Sequence, residues 1–191
     1  MEKQSGFTLL ELLTAMTIGA ILMAIAVPSF RITILNNRLS TPLNTLLSGM
    51  IYTRTEAIKR NVNVVICASS DQQTCTGGAW GSGWIVYYTP AGSATNPVPA
   101  PTGTEIIRQF PALSGGNTLN TTASNPAVPS NTIVFQPSGM TLLTGDAQFS
   151  LCDTRGTTFA RTVMVSITGR AQVVPTTTTT WNGKPLTPSC P

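Results

Sequence analysis

Histidine is absent from the 191 residues, and charged side chains make up only 9% of them. Without histidine the chain lacks the commonest general base and the commonest metal ligand. Neither a Ser–His nor a Cys–His nucleophile pair can be assembled. No phosphate-binding loop or dinucleotide fingerprint occurs. No two cysteines stand at Cys-x-x-Cys spacing, which leaves no support for a metal site. Asp71, Glu105, Asp146 and Asp153 are the carboxylates of the C-terminal two thirds, and nothing in their spacing suggests a paired-carboxylate hydrolase. The expectation is a structural and interaction protein with no catalytic residue, no metal and no cofactor.

Charge is scarcest near the N-terminus. Glu11 is the only charged residue between Lys3 and Arg31, and it sits at the start of a long apolar run that ends at Pro28-Ser29-Phe30. A carboxylate at mid-membrane costs roughly 2.5–3.5 kcal/mol, and less near an interface. A positive partner would relieve that cost, and cleavage after Gly6 would create one as the new amine of Phe7. The run from Leu12 to Phe30 is long enough to cross a bilayer as a helix. A secretory signal would place a small-residue cleavage site after the apolar part. Here Glu2 offsets Lys3 in the leader, and the best cleavage site precedes the apolar part.

Gly6, Phe7, Glu11, the apolar stretch and Pro28 closely resemble, in register, the class III signal and N-terminal helix of type IV pilins and type II secretion pseudopilins. The resemblance implies that a prepilin peptidase cuts between Gly6 and Phe7 and methylates Phe7. It also implies that Glu11 pairs with the N-terminal amine of a neighbouring subunit, and that Pro28 loosens the helix during assembly. The implied partners are other pilins or pseudopilins, the peptidase and the inner membrane of a Gram-negative cell. The leader would be cytoplasmic and the bulk periplasmic, later carried into a pilus fibre at the cell surface. Charge gives little help with orientation, because Lys3 lies on one side and Arg31 and Arg38 on the other.

The helical pattern continues past the membrane segment. Ile32, Leu35, Leu39, Leu43, Leu46, Leu47, Met50, Ile51 and Ile58 recur at spacings of three and four, with polar residues between them. A helix from Phe7 to about Arg60 would run on the order of 80 Å. Pro28 and Pro42 each remove a backbone donor and should bend or loosen it. The second half should lie against its own domain. After Asn61 the period becomes two, and strands are expected over residues 61–67, 83–89, 105–110, 132–136, 140–143, 147–152, 161–168 and 170–174. In the sixth of these, Ala147, Phe149 and Leu151 should point inward, and Gln148 and Ser150 outward. Residues 71–82, 91–103 and 114–130 read as loops from their glycine, proline or Asn/Thr/Ser content. The threonine run 176–180 reads as either a strand or a linker.

The expected architecture is therefore α+β. It has a leader (residues 1–6), a transmembrane helix (7–30), its amphipathic continuation (31–60) and a β-rich domain (61–191). That domain carries an antiparallel sheet, in two layers, packed on the helix. Four cysteines, Cys67, Cys75, Cys152 and Cys190, all lie beyond the membrane segment, and an even number in an exported domain suggests disulfides. Of the possible pairings, Cys67–Cys75 would bracket a short polar loop and Cys152–Cys190 would pin the C-terminal tail.

One long helix followed by many short strands is similar to the GspH/FimT family of minor pilins and pseudopilins. Val134-Phe135-Gln136-Pro137-Ser138-Gly139 and Val165-Ser166-Ile167-Thr168-Gly169-Arg170 carry that likeness. It leaves three roles open: a FimU-like minor pilin at or priming the pilus tip, a type II secretion pseudopilin, or a FimT-like minor pilin that binds DNA. The DNA-binding members carry Gly-Arg-x-Arg. Here Gly169-Arg170-Ala171-Gln172 places Gln172 where the second arginine would be, and glutamine cannot neutralise a phosphate. Arg155, Arg161, Arg170 and Lys184 are the remaining candidate nucleic-acid contacts, with Trp181 available for stacking. There is no dense basic run.

Overall fold

The computed structural model describes residues 6–77, 79–89, 105–114, 116–123, 131–174, 180–181, 184–185 and 190. The expected loop 91–103 lies outside them, as do residues 176–179 of the threonine run. One helix, α1 (Leu9–Arg60), runs from a first compact unit ending at Asn37 into a second beginning at Arg38. Ten strands follow among the described residues: β1 (Val64–Ala68), β2 (Trp84–Tyr88), β3 (Ile106–Phe110), β4 (Thr118–Ala123), β5 (Thr132–Phe135), β6 (Ala147–Cys152), β7 (Arg161–Val165), β8 (Ala171–Val174), β9 (Thr180–Trp181) and β10 (Lys184–Pro185). Two antiparallel four-stranded sheets form, in the orders β3-β2-β1-β5 and β4-β6-β7-β8, beside the small β9–β10 hairpin. The fold is α+β.

In the second unit α1 carries Leu39, Leu43, Leu46 and Met50 into the core, all essentially inaccessible to water. They meet Val64, Ile66 and Ala68 of β1, Trp84 and Val86 of β2, and Phe149, Leu151 and Val163 of the second sheet. Burying those four helical side chains contributes on the order of 6–12 kcal/mol. The opposite face of β1 is buried as well, with Val65 and Cys67 packed beside Ile85, Tyr87 and Val134. This explains why β1 reads as a continuous apolar run and not as an alternation. Gly49 is the close-approach point of helix and sheet: a Cβ there would lie 3.3 Å from Trp84 Nε1 and 3.4 Å from Phe110 Cζ.

The helix passes both prolines unbroken. Pro42 has no N–H to offer the carbonyl of Arg38, four residues earlier. Asn117, in the loop before β4, replaces that donor, with its side-chain Nδ2 donating to Arg38 O at 2.9 Å. Asn117→Ala should therefore destabilise the chain by about 1 kcal/mol. In Pro42→Ala the backbone N–H returns, and the Asn117 effect should shrink. A double-mutant cycle in urea reads the coupling directly, and additive effects would reject this account.

Two turns meet, one after β5 of the first sheet and one between β7 and β8 of the second. In each, a residue's N–H closes back three positions: Gly139 N to Gln136 O at 2.8 Å and Gly169 N to Ser166 O at 2.9 Å. Both glycines occupy the left-handed region, with φ of 78° and 76°, where side chains are costly. The carbonyl of Gly139 rests so closely on Gly169 that a Cβ on Gly169 would overlap it. Thr141 completes the junction: its N–H donates to Ile167 O at 3.0 Å, and its hydroxyl faces the carbonyls of Ser166 and Ile167.

Several elements differ from the sequence expectation. The helix begins at Leu9 instead of Phe7, and β1 begins at Val64 because Asn61, at φ 55°, terminates the helix in the left-handed region. The stretch 140–143 contributes one bridge, Thr141 to Phe135, and no strand. The strand from Arg161 ends at Val165 because Ser166–Gly169 forms a turn. Within the expected loop 114–130, β4 pairs with β6 over six residues and buries Leu119. Gln148 and Ser150 are buried, not outward-facing and wet, and Gln148 Nε2 donates to Ser150 Oγ at 3.0 Å. Ile51 and Ile58 are about half exposed instead of enclosed in the core.

Candidate functional site

The N-terminal segment combines an exposed apolar surface with one carboxylate. Every large apolar side chain from Phe7 to Phe30 is more than half exposed; Leu13, the least so, is 52% accessible. Among the described residues α1 is the helix long and apolar enough to cross a membrane. Two of its hydroxyls are satisfied within the helix. Thr14 Oγ1 donates to Glu11 O at 3.0 Å, and Thr17 Oγ1 donates to Thr14 O at 2.8 Å.

Glu11 lies in the first turn of α1, and its backbone N–H donates to Thr8 Oγ1 at 3.3 Å. Thr8-Leu9-Leu10-Glu11 is thus a capping-box sequence, Thr-x-x-Glu, with the threonine half of the cap formed. The carboxylate also sits where the helix dipole favours negative charge. This local role is a structural competitor to pairing with another chain, and it was readable from the Thr-x-x-Glu spacing. Gly6 and Phe7 precede the helix, both exposed.

Cys67 and Cys75 form one disulfide and Cys152 and Cys190 the other. The first closes a loop organised by Asp71. The Asp71 carboxylate accepts from Thr74 Oγ1 at 2.6 Å, Thr74 N at 2.8 Å, Gln73 N at 2.9 Å and Ser69 Oγ at 2.9 Å. The Thr74 hydroxyl, followed by the Thr74 and Gln73 amides, holds this carboxyl well below the usual range. The second disulfide attaches residue 190 to the end of β6, on the face that carries Gln148 and Ser150.

The four candidate nucleic-acid contacts sit on separate elements. Arg155 is folded onto its own turn: Nη2 lies 2.7 Å from Asp153 Oδ2, and the guanidinium stacks 4.4 Å from the Phe159 ring centroid. Burial acts to raise the Asp153 pKa, but the Arg155 hydrogen bonds and charge outweigh it and hold the carboxyl low. Arg161 begins β7 and is half-buried, whereas Arg170 is exposed beyond the far end of that strand, roughly 13 Å away. Lys184 lies on the separate β9–β10 hairpin.

A cation that sequence reading passed over stands at the turn junction. Arg54 of α1 lies across both glycine turns: Cβ atoms on Gly139 and Gly169 would come within 3.2 and 3.3 Å of Arg54 Nε. That Nε is buried and meets no hydrogen-bond acceptor among the described residues. The only trace of it in the sequence is an arginine flanked by the apolar positions Ile51 and Ile58.

Comparison with known proteins places these features in context. The family described as Type II transport protein GspH matches residues 43–169, and the Prokaryotic N-terminal methylation motif matches residues 1–27. The crystal structure of the type IV minor pilin FimU from Pseudomonas aeruginosa superposes with a TM-score of 0.54 at 21% identity, covering 74% of this chain and 92% of FimU. A second FimU crystal form also gives 0.54, at 18% identity, with 73% and 95% covered. The minor pseudopilin EpsH of the Vibrio cholerae Type 2 Secretion System gives 0.47 at 10% identity, with 72% and 96% covered. No curated protein sequence matches. At these identities the likeness to solved structures concerns the fold.

Proposed function

Because this chain belongs to the family of the Type II transport protein GspH, we propose that it is a minor subunit of a type IV pilus, incorporated into the fibre or priming it at the tip. Residues 1–6 are the leader, 7–30 the membrane helix, 31–60 its continuation and 61–191 the periplasmic domain. A prepilin peptidase cuts between Gly6 and Phe7 and methylates Phe7. The subunit then waits in the inner membrane. The observation that carries this reading is an exposed apolar helix with a single carboxylate in its first turn, within a matched methylation motif.

The mechanism follows from the dielectric. In lipid a lone Glu11 carboxylate is costly, and attraction to a neighbour's Phe7 amine grows as water is excluded. Pairing makes the helix cheaper to hold among other helices than alone. Pro28 leaves the carbonyl of Ala24 without its helical donor, a point where the rod can stretch. The domain then supplies side-to-side contacts with other subunits.

The family's description as a type II transport protein favours a second reading, a type II secretion pseudopilin, which shares every step up to the choice of apparatus. A nucleic-acid role draws the least support, because Arg161 and Arg170 lie at opposite ends of β7 and Arg155 is internally paired.

Processing tests the common part. In cells with the peptidase, the intact mass should correspond to a chain beginning at methylated Phe7, and Gly6→Val should retain residues 1–6. Sheared pili should contain the mature form. A wild-type chain that keeps its leader and never enters a filament rejects the reading. Presence only in a secretion pseudopilus transfers it to the second.

A further inference from the structure

We infer that Arg31 is a positioning residue: it holds a lipid phosphate of the periplasmic leaflet and thereby keeps Glu11 at the cytoplasmic edge of the hydrocarbon. The inference rests on the membrane-helix reading above. Twenty positions separate Glu11 from Arg31. Helix α1 is continuous through both, Pro28 included, so the two residues stand about 30 Å apart along its axis. The hydrocarbon core of a bilayer is about 30 Å thick. No other charged side chain lies between them. The two charges therefore bracket the apolar layer, one at each face.

The apolar surface alone does not fix this depth, because it continues past both charges. Leu9 and Leu10 are 78% and 73% exposed on one side, and Ile32 and Ile34 are 57% and 50% exposed on the other. From Leu9 to Ile34 that surface runs about 38 Å, more than the hydrocarbon needs. A rod with excess apolar length can slide or tilt in lipid. Glu11 favours a slide toward the cytoplasm, where its carboxylate regains water while Ile32 and Ile34 enter the lipid. Arg31 opposes that slide. Its side chain is exposed, and drawing its charge into hydrocarbon is costly. The long stem lets the head reach the interface, and the planar fork of donors suits a phosphate. The chain supplies no competing acid nearby, since the next carboxylate after Glu11 is Glu56. Held this way, Glu11 stays where exclusion of water strengthens its attraction to a neighbour's amine.

The test places dansylalanine at Thr33 or at Leu10 of the full chain in vesicles of phosphatidylethanolamine and phosphatidylglycerol. Lipids spin-labelled at two depths quench the probe and report its position. In Arg31→Leu the Thr33 probe should move inward and the Leu10 probe outward, each by about 5 Å, one helical turn. Arg31→Lys should keep both at the wild-type depth. Adding Ile32→Lys to Arg31→Leu should return both to within about 2 Å of it, because a cation one residue later meets the same phosphates; a contact peculiar to position 31 would not be restored. Probes that stay in place in Arg31→Leu, or that both move inward as a tilt would carry them, overturn the depth role, as does a shift that neither lysine variant prevents. The vesicles hold no peptidase and no other subunit. A failure here therefore leaves the leader and filament readouts above untouched, and a failure there leaves the probe depths to be read by themselves.

Discussion

Glu11→Gln should leave the chain cleaved and helical yet reduce its incorporation into filaments roughly a hundredfold, the equivalent of about 2.5–3.5 kcal/mol. The substitution separates two roles that alanine would remove together. Glutamine serves at the third position of a capping box as glutamate does, so the Thr8 cap of α1 persists. What disappears is the charge that a neighbour's Phe7 amine would meet. Glu11→Ala should lose a few tenths of a kcal/mol more through the helix terminus. The readout is the amount of mature subunit in sheared filaments relative to membrane, by immunoblot. If the glutamine variant incorporates normally, Glu11 acts as a helix cap alone.

Gly169→Ala should be the most damaging single methyl in the domain, at about 3 kcal/mol or more. Two costs coincide. The residue's φ of 76° disfavours any Cβ, by roughly 1–2 kcal/mol. The new methyl would also overlap the Gly139 carbonyl, and backbone cannot step aside as a side-chain tip can. Gly116→Ala isolates the first cost, since Gly116 has φ 72° and nothing within 4 Å of a Cβ. Urea midpoints of the full chain in detergent should therefore rank wild type, Gly116→Ala and Gly169→Ala in falling order. Equal losses for the two variants would mean that the turns do not bear on each other.

The α+β class and the first half of the chain were legible because their signals are local. A run of apolar residues broken by one glutamate is visible without any knowledge of what lies beside it. So was the period of three and four that puts Leu39, Leu43, Leu46 and Met50 inside. The errors fall where burial depends on a distant partner. Thr118-Leu119-Asn120-Thr121 looks like a loop until β6 lies beside it, after which its threonines are good strand residues. Gln148 and Ser150 alternate with apolar neighbours as outward residues should, yet that face of β6 is covered. Ile51 and Ile58 continue the helical stripe, but the face that the domain covers there is the one carrying Thr53, Glu56 and Ala57. The turn junction was invisible for the same reason: its two halves are 30 positions apart, and Arg54 belongs to neither.

The order of strands has a mechanical consequence. Helix α1 passes after three residues into β1, which is an inner strand of its sheet, hydrogen-bonded to β2 on one side and β5 on the other. Tension entering along the helix would have to shear both ladders at once; an edge strand could instead be peeled bond by bond. At the opposite end of the sequence, the Cys152–Cys190 crosslink spans 38 residues. It withholds roughly 130 Å of extensible contour from any pull on the second sheet. A fibre built of such subunits would yield by sliding helices before its domains unravel.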